Sequence, residues 1–103
     1  MLKVTNPDLD LGTIQFGKPY FFSYEVRNMY LEVLYIDHIL PGCHSCTEAT
    51  INRYTLAPNE TATLKIMFTP GDTGQQKKKV SIINHTLGKR RPNVYVTFKA
   101  IVQ

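Results

Sequence analysis

The chain is 103 residues long, 43% hydrophobic and 19% charged, the balance of one folded domain and too short for two. Two cysteines, three histidines and no tryptophan leave little material for a large cofactor site or an elaborate catalytic cleft. The net charge of +4 is mild, and the sequence lacks both the ~18-residue apolar run of a membrane helix and the basic-then-apolar opening of an export leader.

The hydrophobic period along the chain is two. A first strand is predicted over about Leu9 to Ile14, then Gly17-Lys18-Pro19 turns into a second over Tyr20 to Asn28, where Phe22, Tyr24 and Val26 alternate with Phe21, Ser23 and Glu25. Asn28-Met29-Tyr30 leads to a third strand, Val33 to Ile39, ended by Pro41-Gly42. A weaker strand or pair covers Glu48 to Leu56. Ala57-Pro58-Asn59-Glu60 turns into Thr61 to Phe68, with Ala62, Leu64, Ile66 and Phe68 on one face. Pro70 to Gly74 turns into Lys77 to Asn84, and His85 to Arg91 turns into Asn93 to Val102, with Val94, Val96, Phe98, Ala100 and Val102 on one face. No window shows a helical stripe. About seven short antiparallel strands at regular spacing predict an all-β sandwich spanning residues 1–103 as a single domain.

Alternating strands place the turns at two ends. The Gly17 turn, the cysteine loop Gly42 to Thr47 and Pro70 to Gly74 share a first end. Asn28 to Tyr30, Ala57 to Glu60 and the basic hairpin His85 to Arg91 share a second.

Cys43-His44-Ser45-Cys46 is the most distinctive segment. Its leading reading is a plain loop pair, either free thiols or a local disulfide. A metal site of Cys43, Cys46, His38 and His44 is the second reading, although structural zinc usually shows two separated ligand pairs. Redox exchange is the third, and it lacks the strand-to-helix setting that such cysteines normally occupy. A nucleophile at Ser45 or Cys43 with His38 as base can be drawn, but no recognised catalytic motif supports it. No cofactor and no enzymatic activity are expected.

Lys77 to Lys79 and Lys89 to Arg91 supply half the positive side chains. They fall near opposite ends of one strand, roughly 30 Å apart at ~3.3 Å per residue, which argues against one nucleic-acid patch. Phe21, Tyr30, Tyr35 and Ile83 are candidates for an exposed contact patch, and Lys89, Arg90 and Arg91 for pairing with an acidic partner. Asn59-Glu60-Thr61 and Asn84-His85-Thr86 match glycosylation sequons.

The order of short motifs resembles an Ig-like domain family of unknown function abundant in Bacteroidetes. Asp10-Leu11-Gly12-Thr13-Ile14 with Gly17 resembles its opening D-F-G-x-I…G, and Val26-Arg27-Asn28 its F-x-N strand end. Leu34-Tyr35-Ile36 resembles L-x-I, and Cys43 to Thr47 resembles C-G-C-T with one extra residue between the cysteines. Leu56 to Glu60 resembles I-x-P-G-E with Asn59 in place of glycine, Phe68-Thr69-Pro70 with Gly74 resembles F-D-P…G, and Ile83-Asn84 resembles T-N. The series is similar also to the cilium-associated Ig-like domains related to the chaperone PapD. The resemblance implies an Ig-like fold and no established catalysis.

The expected function is therefore a non-enzymatic structural or interaction module, an accessory subunit of a larger assembly such as a bacteriophage virion. The alternative is an exported envelope or periplasmic binding or adhesion module, and a second alternative is a small metal- or thiol-dependent protein using the Cys43/Cys46 loop. The expected partners are other protein subunits, rather than a membrane, nucleic acid or a small molecule. The expected locations are the virion or, for the exported alternative, the bacterial periplasm or cell envelope.

Overall fold

The computed structural model describes residues 1–43 and 45–103, and among these no helix forms. Ten strands follow in chain order: β1 (Leu2–Thr5), β2 (Asp8–Ile14), β3 (Tyr20–Asn28), β4 (Leu34–Pro41), β5 (Thr47–Ile51), β6 (Thr55–Leu56), β7 (Thr61–Phe68), β8 (Gly74–Thr86), β9 (Lys89–Arg90) and β10 (Val94–Val102). They form two sheets, β1-β3-β7-β5 and β2-β10-β8-β4-β6, with β9 added to the end of β8. The predicted sandwich is present.

The period-two alternation decides what lies between the sheets. Ala62, Leu64, Ile66 and Phe68 of β7 and Val96, Phe98, Ala100 and Val102 of β10 all point inward, as do Val80 and Ile82 of β8. Phe98 meets Phe22 and Phe68 of the opposite sheet edge-to-face, at centroid distances of 4.9 and 5.0 Å.

Three strands exceed the predicted seven, each for a physical reason. The chain's first strand is divided between the sheets, because Asn6 adopts a positive φ of 52° and Pro7 has no N–H to continue a ladder. Its first part, β1, pairs with β3, and its second, β2, crosses over and runs parallel to β10. Not every neighbouring pair is antiparallel, then. The weak Glu48-to-Leu56 segment is likewise shared, with β5 against β7 and β6 against β4. The basic hairpin folds back as β9 on His85 and Thr86.

Two of the short motifs acquire physical causes. Between Asp10 and Thr13 of β2 the chain carries one residue more than β10 does opposite it. The Asp10 carboxylate accepts the Gly12 N–H at 2.9 Å, and Gly12 takes a φ of 71°, open to glycine without strain. In Ala57-Pro58-Asn59-Glu60 the Glu60 N–H returns to the Ala57 carbonyl at 3.0 Å, and Asn59 has a φ of 68°. That is a type II turn with proline second and asparagine third, so Asn59 serves where glycine would.

Tyr24 joins the two sheets directly: its hydroxyl donates to the Thr97 carbonyl at 2.7 Å. Burial, assisted by the Asp8 carboxylate, pushes its ionisation well above the ordinary tyrosine range. Because the folded pKa is raised, this contribution is complete below pH ~10, where the unfolded tyrosine is still protonated, and is lost as pH rises beyond it. Urea unfolding between pH 8 and 11 should therefore show stability falling above pH ~10, and Tyr24→Phe should reduce that fall while costing about 1 kcal/mol at neutral pH. An unchanged alkaline slope in Tyr24→Phe would count against this role.

Candidate interaction surfaces

The two ends predicted from strand order are both present. At the first end, the Gly17 N–H donates to the Pro70 carbonyl at 3.4 Å, Thr69 N–H to Cys46 at 2.8 Å and Gly42 N–H to Lys79 at 2.9 Å. These bonds gather the three expected turns. At the second end, Asn28 N–H bonds to the Glu60 carbonyl and Asn59 N–H to that of Asn28.

Cys43 and Cys46 are joined by a disulfide. Bonded to one another, the sulfurs are neither thiolate ligands nor nucleophiles, so in this form they supply neither the metal pair nor the drawn Cys43 nucleophile. His38 lies within β4 on the outer side of its sheet, opposite Ile83. His44 lies outside the described residues. Ser45 Oγ sits 3.7 Å from Cys43 Sγ. The loop borders a shallow cavity of about 180 Å³ shared with Asp72, Gln76 and Lys78. Among the described residues no group of three or more His, Cys, Asp or Glu side chains converges.

The contact candidates fall on three separate surfaces. Phe21 is 74% exposed on the outer face of the four-stranded sheet, opposite Met67. Tyr30 and Arg91 meet at the second end and satisfy one another. The Arg91 guanidinium lies 4.3 Å over the Tyr30 ring, its Nε donates to Thr86 Oγ1 at 2.8 Å, and its Nη2 to Glu32 Oε1 at 3.1 Å. With its side chain only 18% exposed, Arg91 is a clamp between the loop after β3 and the β8–β9 hairpin. Lys89 and Arg90 remain exposed on that hairpin.

Tyr35 and Ile83 share the third surface, the outer face of the larger sheet. Tyr35 stacks on His85 at 5.0 Å, and His85 Nδ1 lies 2.8 Å from the Asp37 carboxylate. A bulge in β4 between Ile36 and His38 brings Asp37 to this position. On the same face Lys79 sits 4.6 Å over the Tyr95 ring, and Leu40, Tyr95 and Ile101 are exposed. A groove of about 440 Å³ lies at the Ile101 end of this face, bounded by Asp10, Gln75, Gln76, Lys77, Lys99 and Ile101.

Lys99, Tyr95, Ile101 and Leu40 were not singled out by the sequence. Lys99 belongs to no basic run, yet strand register sets it directly opposite Lys77 and beside Asp10. The outward half of the β10 alternation, Tyr95, Thr97, Lys99 and Ile101, was the available signal. The sequon at Asn84 is closed to modification, because Asn84 is fully buried, whereas Asn59 is exposed in its turn.

No curated protein matches the chain. Among solved structures it is similar to the VesB protease of Vibrio cholerae (13% identity, TM-score 0.82, covering 97% of this chain and 31% of that one). It is similar also to a protein of unknown function from Porphyromonas gingivalis W83 (20% identity, TM-score 0.77, covering 97% and 46%). A third is the PapD-like domain 7 of human CEP192 (12% identity, TM-score 0.75, covering 99% and 84%). The chain thus spans less than half the length of the first two, and at these identities the likeness shows the fold. The sequence pattern of one family matches residues 2–102, and the chain belongs to that family, the proteins of unknown function termed DUF1573.

Proposed function

We propose that the domain is a non-enzymatic module that binds other proteins through the outer face of its larger sheet. The observation that carries this reading is that Leu40, Tyr95 and Ile101 are all exposed on that face, Leu40 and Tyr95 flanking Ser81 and Ile101 lining the groove farther along β10. Tyrosine and aliphatic groups ringed by lysines are the composition of an interface core and rim. A side of the molecule, 45 by 20 Å, offers about 900 Å², enough for the ≈ 800 Å² per partner of a stable complex. Lys77 and Lys99 stand directly opposite each other with Asp10 beside Lys99, so the charged side chains lining the groove sum to one positive charge that a carboxylate on a partner would meet. One neighbour by fold is a chain of the chaperone–tip adhesion subunit pre-assembly complex from chaperone-usher pili of Acinetobacter baumannii, and another is the E. coli chaperone DraB.

A photo-reactive residue at Tyr95, compared with one at Lys65 on the opposite sheet, tests this in cells that make the protein. Cross-linking to one defined protein from Tyr95 alone is the expected result, and equal or absent labelling from both positions would remove the reading.

As an accessory subunit of an assembly, the module suits either a bacteriophage virion or a bacterial envelope. The disulfide favours the exported, envelope setting, because such bonds persist in oxidising compartments and not in the cytoplasm where virions are built. The bond closes a very short loop, so its contribution is small. Replacing both cysteines with serine should cost about 2 kcal/mol in urea unfolding without altering the fold. Protein isolated under thiol-blocking conditions should carry no free thiol; two blocked thiols would return the proposal to the virion.

A further inference from the structure

A second surface lies at the far end of the sandwich, away from the groove. Met29, Leu31 and Val33, in the loop after β3, and Leu87, at the tip of the β8–β9 hairpin, are all exposed, Leu31 by 95% and Leu87 by 81%. The two segments are neighbours. Leu34 pairs with Thr86, so Val33 and Leu87 continue adjacent strands just beyond the core. Arg91 holds them together by its bonds to Glu32 and Thr86 and its stacking on Tyr30. The leucines are therefore presented by a braced pair of loops.

The charges of this end are biased. Glu32 is bound by Arg91 and Glu60 by Arg53, while Lys89 and Arg90 beside Leu87 form no ion pair among the described residues. The tip thus combines protruding leucines with two free cations. Its cross-section, 20 by 19 Å, is about 400 Å², half of what a stable protein interface takes from each partner. A bilayer surface sets no such minimum: apolar tips enter the boundary between head groups and acyl chains, and nearby lysine and arginine meet anionic head groups.

We propose that this end docks on an anionic lipid surface, with Leu31 and Leu87 inserted and Lys89 and Arg90 on the head groups. The contact is peripheral and spans nothing. It leaves the groove face, along the side of the molecule, free for a protein partner.

Flotation of the full chain with vesicles tests it, using mixed phosphatidylglycerol and phosphatidylcholine against phosphatidylcholine alone. Binding to the mixed vesicles, weakened by salt, is expected. Leu31→Asp with Leu87→Asp should lower partitioning about tenfold or more, and Lys89→Glu with Arg90→Glu by a similar factor. Lys77→Glu with Lys99→Glu, on the groove face, should leave it unchanged. All these residues lie outside the core, so each variant should keep the parent's fold, which circular dichroism checks. Absence of binding to anionic vesicles, or binding indifferent to both tip variants, overturns the proposal. So does loss of binding in the groove variant instead. A concentration-dependent dimer abolished by the leucine variants would assign the tip to a second copy of the chain and equally overturn it.

Discussion

Phe98→Ala is expected to destabilise the domain by about 3–5 kcal/mol, the range for emptying a buried aromatic site. Phe98 is nearly fully buried and links the layers, reaching from β10 to Phe22 on β3 and Phe68 on β7. Alanine leaves both rings facing a void that the two sheets, each hydrogen-bonded along its length, close only in part. A domain of this size has roughly 5–15 kcal/mol in total, so the variant should melt at least about 15 °C lower and unfold at far less urea. Phe21→Ala is the control. Phe21 occupies the same strand as Phe22 but points outward, 74% exposed, and its loss should change stability by no more than about 0.5 kcal/mol. Similar losses in the two variants would show that the inward and outward faces of β3 are assigned wrongly.

That pair of residues also shows what was legible in the sequence. Alternation is strict on β7, on β10 and on β8 from Val80 onward, and it assigned the interior correctly because one face of each of these stretches is packed against the other sheet. The turns at Gly17, Pro58 and Pro70 were legible because proline and glycine limit the backbone itself. Sheet membership was less so. Asn6-Pro7 moves the chain from one sheet to the other, but only Leu2 and Val4 precede it, too few to display a period. The surfaces were the hardest to read. Whether Tyr30 is an exposed anchor or a platform for Arg91 depends on a contact across 61 positions, and Lys99 faces Lys77 only through the register of β8 and β10. Chain order carries no record of such pairings. It does carry the runs that mislead: of Lys89, Arg90 and Arg91, adjacent in sequence, two are exposed and the third is engaged on three sides.

The separation of surfaces gives the functional reading its form. Exposed apolar groups include Phe21 on the smaller sheet, but the two surfaces proposed for binding are a long side, with area for a protein, and a narrow tip without it. If both proposals hold, the module would present a protein partner beside a membrane surface, an arrangement in keeping with the proposed exported setting. Both surfaces rest on strands whose inward residues are core, so outward substitutions separate binding from folding cleanly.

Asn28→Ala is the second large effect, expected at about 3 kcal/mol. Asn28 closes β3 and is fully buried, and each of its polar side-chain groups is used. Its Nδ2 donates to the Glu32 and Leu56 carbonyls at 2.8 and 2.9 Å, and its Oδ1 accepts the Tyr30 N–H at 2.9 Å. Alanine strands one donor and two acceptors, and it releases the loop bearing Leu31 from both β3 and β6. Asn84 provides the contrast. It is equally buried, but its Oδ1 has no donor among the described residues, and its Nδ2 makes one good bond, to the Pro92 carbonyl at 3.1 Å. The native state already bears the cost of that unpaired oxygen, so removing it recovers part of what the lost Pro92 bond contributes. Asn84→Ala should therefore cost about 1 kcal/mol, despite identical burial and chemistry. Urea unfolding of the two variants side by side measures the difference. Equal losses would mean that burial alone, rather than the bonds that tie the second end together, accounts for the asparagine closing β3.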